Sequence, residues 1–113
     1  MSIARVIKAY QTQIDDPLIL TAGEYLSATD RFSEYPGWIW CIHNSGKAGW
    51  VPSSYLDGKA NRVMLLRDYD STEFSVEPGQ QYYVISREVG WLWCEDQQGI
   101  KGWIPEDNME ILE

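Results

Sequence analysis

The sequence predicts an all-β protein that is built twice. A glycine and tryptophan pattern recurs at one fixed spacing. Short aromatic and β-branched segments alternate with glycine-bearing turns, and no stretch carries a capped apolar stripe of helical period. The repeat is the strongest of these observations. Gly37-Trp38-Ile39-Trp40-Cys41 returns as Gly90-Trp91-Leu92-Trp93-Cys94, and Gly49-Trp50-Val51-Pro52 returns as Gly102-Trp103-Ile104-Pro105, all displaced by 53 residues. The six tryptophans thereby form three matched pairs.

Toward the N-terminus the displacement grows. Gly23 matches Gly79 and Leu18-Ile19-Leu20 matches Phe74-Ser75-Val76 at 56 residues, while Tyr10 matches Tyr69 at 59. The second copy is therefore three residues shorter in each of two segments, Gln11–Pro17 and Tyr25–Pro36. Length changes concentrate in surface loops, so these segments read as loops and the matched pieces between them as strands. Trp38 to His43 and Trp91 to Glu95 have strand composition, and Asn44-Ser45-Gly46 and Gln97-Gln98-Gly99 read as the hairpin turns that follow them. The last strand of copy one should run to about Lys59, and copy two should begin near Arg62. This predicts two domains, 1–59 and 60–113, with almost no linker.

Composition limits the function. Of 113 residues, 44% are hydrophobic and 23% charged, which is a globular balance. Tyr and Trp outnumber Phe by thirteen to two, a choice that suits half-buried or ligand-facing surfaces. No apolar run reaches the length of a membrane span, and no leader-like segment opens the chain, so a cytoplasmic location is expected. The net charge of −8 is concentrated late, residues 63–113 carrying eleven acids against three bases. Phosphate contacts need clustered Lys and Arg, so neither nucleic acid nor an anionic membrane is an expected partner.

With these elements in order, each copy resembles a Src-homology-3 (SH3) domain. That family runs from an ALYDY-like strand through an ELSF-like strand and Gly-Asp to WW and G-x-x-P-S-N-Y. Here the first element is Val6-Ile7-Lys8-Ala9-Tyr10 and then Leu65-Leu66-Arg67-Asp68-Tyr69. The last is Gly49-Trp50-Val51-Pro52-Ser53-Ser54-Tyr55 and then Gly102-Trp103-Ile104-Pro105-Glu106-Asp107-Asn108. The resemblance implies two five-stranded, strongly bent barrels in tandem. It also implies binding of extended, proline-containing peptides, which are already in the polyproline II form and lose little entropy on docking between aromatic walls.

By the same resemblance Tyr10, Trp38, Pro52 and Tyr55 would line a groove in copy one, with Asp15 and Asp16 meeting a basic residue of the peptide. Copy two keeps Tyr69, Trp91 and Pro105 but has Asn108 where a tyrosine is expected. Both copies replace the first tyrosine of the ALYDY element, by Lys8 and Arg67. Copy one is therefore the expected peptide binder. Trp40 and Trp93 fall two residues beyond the platform tryptophans, on the same outward strand face, and suggest an interdomain contact, a homodimer interface or a second binding surface. Trp50 and Trp103 read as structural aromatics at a sheet edge.

Chemistry has little footing. Cys41 and Cys94 occupy equivalent positions in two different cores, so two buried, reduced thiols are expected rather than a disulfide. Two cysteines and the lone His43, which reads as a strand surface residue, do not make a metal site. No nucleophile–base set and no phosphate loop is present, so no enzyme activity and no cofactor are expected. The leading reading is a protein-interaction module for a proline-containing or basic segment. An assembly protein that binds a folded partner by shape is the alternative, and a cell-envelope ligand, as for bacterial wall-binding SH3-like repeats, is the weaker one.

Overall fold

The computed structural model describes residues 2–29, 36–59 and 61–112. Among the described residues there are twelve strands and two short 3-10 turns. In chain order the strands are β1 (Ser2–Val6), β2 (Ile19–Leu20), β3 (Tyr25–Thr29), β4 (Trp38–Ile42), β5 (Ala48–Pro52), β6 (Leu56–Lys59), β7 (Arg62–Leu65), β8 (Tyr69–Asp70), β9 (Gln81–Glu88), β10 (Trp91–Glu95), β11 (Lys101–Pro105) and β12 (Met109–Ile111). The 3-10 turns, Ser53–Tyr55 and Glu106–Asn108, follow Pro52 and Pro105. The fold is all-β, as expected, with two five-stranded sheets that stay open rather than closing into full barrels. One correction concerns Tyr25–Pro36, which begins as strand β3; residues 30–35 of that predicted loop lie outside the described residues.

The expected domain boundaries need a larger correction. The chain divides into two compact units, one made of residues 1–15 with 72–113 and the other of residues 16–71. The first strand of each repeat has changed places. In the unit of residues 16–71 the sheet order is β5-β4-β3-β7-β6, so β7, the first strand of the second repeat, closes the sheet of the first. In the other unit the order is β11-β10-β9-β1-β12, and β1 fills the equivalent place between β9 and β12. The exchange is reciprocal to the residue. Tyr10 bridges Val76, and its counterpart Tyr69 pairs with Leu20, the counterpart of Val76.

A short turn accounts for this. Only two residues separate Lys59 from Arg62, which are register partners, and a two-residue connection between antiparallel strands is a hairpin. Strand β7 therefore folds back on β6. The hairpin is close-packed at Gly58, opposite Val63, where a Cβ would lie 2.8 Å from the Arg62 carbonyl oxygen and the backbone has φ +131°. With β7 held in this unit, the unit of the second repeat lacks its first strand, and β1 completes it. Ala4 and Val6 enter one core with Val76, Leu92, Cys94, Ile104 and Met109.

Candidate functional site

The exchange re-deals the predicted groove residues. Tyr10 sits beside Trp91 rather than Trp38, with ring centroids 5.8 Å apart in an edge-on arrangement. Trp91 begins β10 directly opposite Pro105 on β11, so a proline and a tryptophan stand as cross-strand neighbours. Both rings of the Tyr10–Trp91 pair are half-exposed. The Tyr10 hydroxyl donates to Glu73 Oε1 at 2.7 Å, and the Thr12 hydroxyl donates to the same oxygen at 2.9 Å. Glu73 Oε2 is left without a partner among the described residues. A carboxylate thus stands beside the aromatic pair, in a unit whose sequence holds ten acids against four bases.

Asn108 does something the family pattern does not foresee. In place of a groove ring it is a buried clamp. Its Nδ2 donates to the carbonyls of Lys8 and Ala9, each at 3.0 Å, and its backbone carbonyl accepts from the Ile7 N–H at 2.8 Å. These three bonds hold the segment that carries Tyr10, immediately next to the ring. The sequence signal was present as a missing tyrosine, but the partners of its replacement belong to the other repeat.

The remaining predicted residues gather in the unit of residues 16–71. Trp38 opens β4 opposite Pro52 on β5, and the 3-10 turn after Pro52 delivers Tyr55. Tyr69 packs edge-on against Tyr55 at 5.4 Å, and its hydroxyl donates to the Trp50 carbonyl at 2.7 Å. The Arg67 guanidinium lies 4.3 Å from the Tyr55 ring centroid, a cation–π contact. Trp38, Tyr55 and Tyr69 retain only 8%, 6% and 4% of their exposure. These rings are used by the core. Of the two acids expected at this groove, Asp16 pairs with Lys47 at 2.9 Å, while Asp15 falls in the other unit and is exposed.

Trp40 and Trp93 each face the second tryptophan of their own hairpin. Trp40 stands opposite Trp50 and Trp93 opposite Trp103, with 5.0 Å between centroids in both pairs. Trp103 is buried under an added edge, since its N–H donates to the Thr72 carbonyl and its carbonyl accepts from the Phe74 N–H. His43 is more than a surface residue: Nε2 meets Glu24 Oε1 at 2.9 Å and Nδ1 meets the Ser45 hydroxyl at 2.8 Å. The Thr21 N–H and His43 together hold the Glu24 carboxyl below the ordinary glutamate range. Cys41 and Cys94 are buried and unpaired, one in each unit, and burial pushes their thiols up to about 11 and about 12. Among the described residues no group of His, Cys, Asp and Glu could hold a metal ion, and no helix is long and apolar enough to cross a membrane.

Comparison with known proteins finds similarity to the same family. The variant SH3 domain family matches residues 3–57, which follows the sequence repeat and so runs across both compact units. SH3 and PX domain-containing protein 2B of Homo sapiens is 24% identical over 88% of this chain, and its Mus musculus counterpart is 23% identical over the same share. The chain spans 12% of the length of these relatives. No solved structure matches.

Proposed function

From a chain whose residues 3–57 match the variant SH3 domain family and whose strands are SH3-like, we propose a non-enzymatic module that captures an extended peptide on its Tyr10–Trp91 face. One observation carries this reading: a half-exposed tyrosine and tryptophan meet edge-on, flanked by Pro105 and by the Glu73 carboxylate. Such a surface offers an aromatic shelf to a pyrrolidine ring and a charge to a neighbouring cation. The favoured ligand is proline-containing and basic, in keeping with the acidity of this unit. A shallow face of this kind supports about micromolar affinity.

In this reading the unit of residues 16–71 is the structural partner. Its groove rings are buried, and Arg67 on Tyr55 places a cation where a basic peptide would need an acid. That moves the binding role away from the groove expected of Trp38, Pro52 and Tyr55. The test is a titration with PxxP peptides bearing one Arg or Lys, followed by backbone amide and indole resonances. Shifts are expected at Tyr10, Glu73 and Trp91. Silence there at millimolar peptide, or shifts confined to Trp38, Tyr55 and Tyr69, overturns the assignment.

A further inference from the structure

Every component of the Tyr10–Trp91 face is divided between the repeats. Tyr10 and Thr12 arrive on the segment that follows β1, whereas Trp91, Pro105, Glu73 and Asn108 belong to the second repeat. The segment is joined to the rest of the chain through the loop of residues 11–17, and the compact units divide between Asp15 and Asp16 inside that loop. Its attachments to the second repeat include the β1 ladders to β9 and β12, the Tyr10–Val76 bridge, the Asn108 clamp, the hydroxyl bonds to Glu73, the Arg5–Glu110 ion pair and the bond from the Thr12 N–H to the Ser75 hydroxyl. The unexchanged pairing of the same strands would place Tyr10 beside Leu20, and with it the first repeat, leaving Trp91 to Tyr69. The two pairings use the same strands but present different faces.

We propose that peptide capture and strand exchange are linked in this chain: the peptide binds only while β1 is seated in the second repeat, and its binding locks β1 there. The inference rests on the reading that the Tyr10–Trp91 face is the peptide site. A ligand that binds one of two states shifts the balance by its full occupancy factor, so peptide at a hundred times its Kd lowers β1 release about 100-fold. The face is then a conditional site, present when the first strand is in place and dismantled when the strand leaves.

The experiment uses the full chain with a protease site inserted at residues 13–15. After cleavage the N-terminal segment is held by non-covalent contacts alone, and its dissociation is followed with and without a PxxP peptide carrying one Arg. Peptide is expected to slow the loss of the segment, and a synthetic copy of the segment is expected to restore peptide binding to chains that have lost it. An intact chain in which the peptide leaves the Trp91 indole unmoved removes the peptide reading, and the linkage with it. Peptide binding that persists after the segment has gone overturns the linkage alone. Should the depleted unit unfold, Tyr10→Ala in the uncut chain decides the point. It is expected to weaken the peptide at least tenfold while the β1 amides stay protected from exchange, and unchanged affinity overturns the linkage.

Discussion

The hydroxyl of Tyr10 donates to the carboxylate of Glu73 at 2.7 Å although 63 residues separate them in the chain. Tyr10 belongs to the first repeat and Glu73 to the second, so the bond is a direct mark of strand exchange. A double-mutant cycle of Tyr10→Phe and Glu73→Ala should give a coupling of about 1 kcal/mol, below the usual range for a hydrogen bond to a charged group because the site is only partly buried. Urea unfolding measures it. Strict additivity of the two substitutions would mean that the residues do not meet.

Asn108→Leu should destabilise the chain by about 1–3 kcal/mol, because the carbonyls of Lys8 and Ala9 lose the donor that satisfies them. Asn108→Asp removes the same donor and sets a carboxylate against two carbonyl oxygens, so its loss should be the larger. Amide hydrogen exchange gives the location. The Val6 and Ile7 amides should speed up more than those of Val63 and Leu65, which sit in the other unit.

The strands were legible and their partnership was not, for a physical reason. Trp38, Trp40, Cys41 and their counterparts form hairpins with neighbours in the chain, so local pattern sufficed to place β4 with β5 and β10 with β11. Of the first strands, β1 pairs only with distant segments, and β1 and β7 present buried apolar residues at equivalent positions, Ala4 and Val6 matching Val63 and Leu65. Nothing in Ala4 and Val6, or in Val63 and Leu65, prefers one core by chemistry alone. The deciding signal lay in the shortness of the Lys59–Arg62 connection, which reads as a missing linker but acts as a hairpin turn. The groove followed the strands. Tyr10 and Tyr69 were recognisable as groove rings, yet each went to the opposite repeat.

Two glycines test the close approaches. At Gly58 an added Cβ meets backbone atoms, Arg62 O at 2.8 Å and Val63 Cα at 3.1 Å, and the backbone is left-handed. Gly58→Ala should therefore cost about 1–3 kcal/mol with no side-chain change able to relieve it. At Gly102 the obstacle is the Phe74 ring, 2.9 Å from an added Cβ, whereas the equivalent Gly49 lies under the smaller Leu18. Gly102→Ala should be destabilising by a similar amount, and Phe74→Leu should recover part of that loss. Thermal unfolding of the single and double variants separates the two cases; equal rescue at both glycines would contradict it.

The two cysteines make stability depend on pH at the alkaline end. Burial holds the Cys41 thiol up to about 11 and the Cys94 thiol up to about 12, against about 8.5 for a free thiol. Above the free value the unfolded chain surrenders these protons while the folded chain retains them, so the unfolded state is favoured increasingly as pH rises. Stability from this source is complete below the free-thiol value, declines above it, and levels off once the folded thiols also ionise. Replacing both residues by alanine should flatten the alkaline limb while lowering stability at neutral pH through the cavities left behind. The same burial predicts kinetics. A thiol reagent at pH 8 should label Cys41 and Cys94 only as fast as the chain opens, and labelling of the native protein at the rate of a free thiol would show that the two cores are not closed over them.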